Sequence, residues 1–71
     1  MSKPKKYNYI VESTEEGRNI RYLAEVWSIL DESARRYVVH KTFLQGGTVH
    51  SIEPVDDSYE ANYVKRTFQE S

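Results

Sequence analysis

The side chains best able to do chemistry are thinly spread along this chain. His40 and His50 are its two imidazoles. Without a carboxylate at ligand spacing, a pair of histidines is not a metal motif. There is no cysteine, which removes disulfides, thiolate chemistry and cysteine zinc sites. Ser13, Ser28, Ser33, Ser51, Ser58 and Ser71 stand in no nucleophile-elbow context. The carboxylates cluster at Glu12/Glu15/Glu16, Asp31/Glu32 and Glu53/Asp56/Asp57, where turns are expected, so they read as turn chemistry and solubility. Asp56-Asp57 lacks the further oxygens of a calcium loop. Gln45-Gly46-Gly47-Thr48 is too short to cradle a phosphate, and no lysine follows it in place. The sequence therefore predicts no catalytic residues, no metal, no cofactor and no small-molecule substrate, and so no enzyme.

What remains is recognition. Six Tyr, two Phe and Trp27 give a high aromatic content in 71 residues, and aromatic rings are favoured in strands and at interfaces. The formal net charge of −1 argues against a protein that coats nucleic acid, since non-specific affinity comes from neutralised phosphates. It leaves room for a local basic face. A chain of this length is one small domain with a core worth roughly 3–5 kcal/mol. No apolar run approaches the ~20 residues that span a bilayer, and no signal peptide is visible. The expected location is cytoplasmic.

These residues must be positioned by elements. Residues 1–6 read as a flexible basic arm, and 7–71 as a single domain. Tyr7, Tyr9 and Val11 alternate with Asn8, Ile10 and Glu12, which predicts a strand. Glu15-Glu16-Gly17 suits a three-residue hairpin loop, although Ser13 with Glu16 also forms a helix capping box.

The next stretch, residues 20–44, supports two readings. Ile20, Leu23, Trp27, Leu30, Ala34, Tyr37, Lys41 and Leu44 repeat at helical spacing, all but Lys41 apolar, and Asp31–Arg35 and Glu32–Arg36 are favourable i,i+4 pairs, which predicts a long central helix over 14–44. Against this, Val, Ile, Trp, Tyr and Phe are dense around a polar Glu32-Ser33-Ala34, which predicts a hairpin. In that hairpin Ile29 faces Tyr37, Trp27 faces Val39 and Leu23 faces Phe43, on the same side as Tyr7, Tyr9 and Val11. The hairpin is preferred, since a short chain cannot cover a helix that is apolar nearly all round.

Thr48–Ile52 is a short further strand closed by Pro54. Residues 57–71 read as a C-terminal helix capped by Asp57 and carrying Ala61, Val64 and Phe68 on one face. The expected fold is α+β: a three- to four-stranded antiparallel meander, or a small curled barrel, with a C-terminal helix.

The meander leaves a second sheet face bearing Tyr22, Val26, Arg36, Val38 and His40, an apolar and aromatic surface with basic residues among it. That face predicts a protein-binding module, with a protein partner or a second copy of the chain as its ligand. The alternative is a nucleic-acid interface, with Lys3, Lys5, Lys6, Arg35 and Lys41 on phosphates and Tyr22 stacked on a base.

Overall fold

The computed structural model describes residues 3–56 and 64–70. Strands β1 (Lys5–Glu15) and β2 (Arg18–Ser28) are followed by a helix, α1 (Asp31–Leu44), and then by β3 (Thr48–Val55) and β4 (Val64–Gln69). The four strands form one open sheet in the order β3-β1-β2-β4. β1 is antiparallel to both β2 and β3, while β2 and β4 run parallel. The fold is α+β, but the sheet is mixed rather than purely antiparallel, and the helix is central rather than C-terminal.

The first hairpin forms as the alternation predicts, but its loop is one residue shorter. Glu16 and Gly17 both adopt positive φ, 54° and 76°. That is the two-residue primed turn, whose twist matches that of the flanking strands. Glu15 therefore pairs with Arg18, and Tyr7, Tyr9 and Val11 face Val26, Ala24 and Tyr22. A register change of one residue exchanges the two faces of a strand. Tyr22 and Val26 thus join the face of Tyr9 and Val11, and Leu23 and Trp27 turn to the other side.

Residues 31–44 are a helix, and the predicted hairpin around Glu32-Ser33-Ala34 does not form. The helix is also shorter than the 14–44 alternative, because residues up to Ser28 are spent in strands. Its start is electrostatic rather than capped. Leu30 is extended with no side-chain cap, and Asp31 and Glu32 lie in the first turn, where carboxylates suit the helix dipole. Asp31–Arg35 and Glu32–Arg36 close at 3.2 and 2.6 Å. The buried stripe is Ala34, Val38 and Thr42, small residues at i,i+4 spacing that let the helix lie close on the sheet. The Thr42 hydroxyl is satisfied by donating to the Val38 carbonyl at 2.8 Å. This narrow stripe is what defeats the argument from β-branched residues: the helix needs cover on one side only, and β1, β2 and β3 supply it.

The helix ends in a Schellman motif. Gly46 takes φ 83°, its N–H donates to Phe43 O at 2.9 Å, and the Gly47 N–H donates to Thr42 O at 2.8 Å. Gly47 is required by contact. A Cβ there would lie 2.8 Å from Thr42 Cγ2 and 3.0 Å from the Thr14 carbonyl oxygen.

β3 forms where a short strand was expected and extends through Pro54, which an edge strand tolerates. Among the described residues of the expected C-terminal helix, 64–70, no helix forms. Val64–Gln69 is a strand beside β2, its Val, Thr and Phe fitting a pleated surface, and its predicted N-cap Asp57 and Ala61 lie outside the described residues. Lys5 and Lys6, read as part of the basic arm, are the first residues of β1 and pair with Ser28 and Trp27. The core lies between helix and sheet: Tyr9, Val11, Tyr22, Ala24, Val26, Ala34 and Val38 are buried, with Phe68 and Tyr37 closing its rim edge to face at 6.4 Å.

Candidate interaction surface on the helix

Helical periodicity divides residues 31–44 between two opposed faces. The inward stripe fixes the outward one, which carries Glu32, Arg36, Val39, His40 and Phe43. Phe43 is 71% exposed and Val39 43%. They stand at i,i+4 spacing, so their side chains are neighbours on the helix surface. With Arg35, Arg36 and His40 they line a shallow depression of about 410 Å³. Leu44 is exposed beside it at the helix C-terminus, and Ile29 and Leu30 are exposed before its N-terminus. A depression floored by Val39 and Phe43 and rimmed by Arg35, Arg36 and His40 can desolvate an apolar group, with the two arginines already paired to Asp31 and Glu32.

The rim is held from below. The Arg35 guanidinium lies 5.6 Å over the Tyr9 ring and its Nε is 3.2 Å from Asp31 Oδ2. The Tyr9 hydroxyl donates to Asp31 Oδ1 at 2.6 Å. Burial, with Asp31 beside it, raises the Tyr9 phenol well above its ordinary ionisation range, so it stays a donor. This Tyr9–Asp31–Arg35 chain ties the first helical turn to β1 and sets where Arg35 projects.

The sequence-predicted residues divide accordingly. Arg36 and His40 lie on the outward helix face. Tyr22, Val26 and Val38 do not join them, because all three are buried between helix and sheet. The one-residue register change moved Tyr22 and Val26 inward, and the helix moved Val38. The Tyr22 phenol is also raised by burial, an effect partly offset by the Thr42 hydroxyl and the Arg66 guanidinium. Arg66 lies 4.3 Å over the Tyr22 ring and reaches Glu15 at 2.9 and 3.2 Å, so Tyr22 serves to seat β4.

The proposed phosphate contacts are dispersed. Lys3 lies near Pro4 and Trp27 at one end of the sheet. Lys5 is opposite Ser28, and Lys6 lies 3.8 Å from Glu25. Arg35 is held by Asp31, and Lys41 sits over the Tyr37 ring at 5.5 Å near the far end of the helix. The histidines are on different elements. His50 is on β3 with Nε2 2.6 Å from Thr14 Oγ1. The Thr14 hydroxyl spends its proton on Asn19 Oδ1 at 2.7 Å, so His50 Nε2 is the donor. No group of three His, Cys, Asp or Glu able to hold a metal ion occurs among the described residues. No helix there is long and apolar enough to cross a membrane.

Compared with protein-family models, curated proteins and solved structures, the chain matches none of them. Val39 and Phe43 were missed by the sequence reading, which placed them across a hairpin from Trp27 and Leu23. Their signal was the i,i+4 step shared with Arg36–His40, legible only once residues 31–44 are known to be helical.

Proposed function

We propose that this is a small non-catalytic protein-binding module whose contact surface is the outward face of α1. The observation that carries the reading is the adjacency of Phe43 and Val39, both exposed, within a ring of Arg35, Arg36 and His40. The partner is a protein segment presenting an apolar side chain to Val39 and Phe43. Exposed aromatic anchors with arginine beside them are the composition of binding hot spots. The helix is a rigid platform for them, because its other face is fixed in the core. The cysteine-free composition supports a reducing, cytosolic setting.

The test is affinity capture with immobilised wild-type protein against two variants. One is Val39→Ser with Phe43→Ser. The other is Val64→Ser, which alters an apolar side chain 71% exposed on β4. A partner held by the wild type and the Val64 variant, but at least tenfold more weakly by the helix variant, supports the reading. Equal retention by all three contradicts it. Saturable binding of mixed oligonucleotides at low salt, falling steeply as salt rises, would replace it with a nucleic-acid function.

A further inference from the structure

The two edges of the sheet are not alike. The β3 edge carries Pro54, which lacks a donor, and a bulge where His50 is the extra residue between the Glu12–Ser51 and Ser13–Val49 pairs. Prolines and bulges are devices that keep an edge from pairing. β4 has neither. The Glu70 N–H donates to the Trp27 carbonyl at 3.0 Å, and β4 is in register with β2 from Tyr22–Val64 to Trp27–Gln69. In a parallel ladder alternate residues bond the neighbouring strand. Val64, Arg66 and Phe68 therefore turn their backbone groups to β2, and Lys65, Thr67 and Gln69 turn theirs outward.

We propose that this outer edge pairs antiparallel with the β4 strand of a second copy of the chain, about a two-fold axis at Thr67. The occupant follows from self-complementarity. An axis at Thr67 sets Lys65 against Gln69, Arg66 against Phe68, Val64 against Glu70 and Thr67 against itself. No like charges are opposed, and all three outward residues form hydrogen-bonded pairs. An axis at Arg66 opposes two arginines, which is unfavourable. It also leaves Gln69 without a partner among the described residues. An axis at Phe68 does the same to Lys65. Pairing at Thr67 continues both sheets into one with the two helices on the same side, so the α1 surfaces stay open and the dimer presents two of them.

Sedimentation velocity on the full chain, from about 1 μM to about 1 mM, is the direct test. The wild type is expected to pass from monomer to dimer across that range. Backbone amides of Lys65, Thr67 and Gln69 should gain hydrogen-exchange protection with concentration, while those of Arg66 and Phe68 are protected throughout. Thr67→Lys and Thr67→Glu each place like charges on the axis and should each weaken association at least tenfold. An equimolar mixture of the two should restore it. Thr67→Pro removes only an outward N–H and should give a folded monomer by circular dichroism. A wild type monomeric over the whole range overturns the proposal. So does a dimer that the Thr67 variants leave unchanged.

Discussion

Val38 and Val39 are the same residue on adjacent positions of one helix, one buried completely and one 43% exposed. Replacing each in turn by alanine separates burial from everything else the substitution does. Val→Ala in a helix gains about 0.5 kcal/mol of intrinsic propensity at either site, so the gain cancels in the difference. At Val38 the lost transfer free energy is about 1.6 kcal/mol for two carbons at ~0.8 each, and the residual cavity raises it to about 2–3 kcal/mol. Ala34 and Thr42 flank the gap along the helix, and Tyr9 and Tyr22 belong to the same buried cluster. Rigid rings let such a cavity collapse only partly. At Val39 the loss is under about 0.5 kcal/mol, and the propensity gain offsets it. Val38→Ala should therefore be about 2 kcal/mol less stable than Val39→Ala, or roughly 8–16 °C in Tm for a chain of this size. Thermal and urea melts of the three proteins measure it. Equal costs, or a larger cost at Val39, would refute the assignment of faces to α1 and with it the position of the proposed surface.

Glu16 holds a left-handed conformation that suits Asn or Gly better. Glu16→Asn should raise stability by about 0.5–1 kcal/mol, read as a shift in urea midpoint at constant m-value. Gly47→Ala should lower stability by about 1–3 kcal/mol, because its Cβ meets Thr42 and the Thr14 backbone. The phenols of Tyr9 and Tyr22 are both raised from 10.0 in the folded state. A raised acid holds its proton in the native state while the unfolded chain loses it, so their contribution to stability is constant below pH 10 and falls as pH rises beyond it. Spectrophotometric titration should show Tyr9 ionising only together with loss of the far-ultraviolet signal, and Tyr22 ionising later than a free phenol.

The parts of the fold legible in the sequence were those set by local pattern. Tyr7, Tyr9 and Val11 alternate clearly, and β1 forms with them inward. The strand starting at Thr48 after Gly47 forms, but it runs on through Pro54 to Val55 where closure at Pro54 was expected. Between Ala24 and Leu44 the pattern was ambiguous for a physical reason. The stretch holds a strand and a helix joined by Ile29 and Leu30, so neither period runs its whole length. The i,i+4 pairs of Asp31 with Arg35 and Glu32 with Arg36 were visible, and they belong to the helix that forms. The register of the first hairpin turned on whether Glu16 would accept positive φ. Residue preference argues against that, but it is favoured once Tyr22 and Val26 are buried by it. β4 was unreadable as a strand because its partner, β2, is distant in sequence, and parallel pairing leaves no turn signal between them. Of the predicted contact residues, Arg36 and His40 kept a place on the surface. Tyr22, Val26 and Val38 lost theirs to those same two features, the hairpin register and the helix.

Recognition on the outward face of α1 can be read by carbon-13 methyl and aromatic NMR of the protein with its captured partner. The Val39 methyl and Phe43 ring resonances should shift or broaden on binding. The methyls of Val38, one residue away, and of Val26 should stay in place. Shifts confined to Trp27, Leu23 and Ile10, with Val39 and Phe43 unmoved, would put the interface on the opposite side of the sheet and contradict the claim.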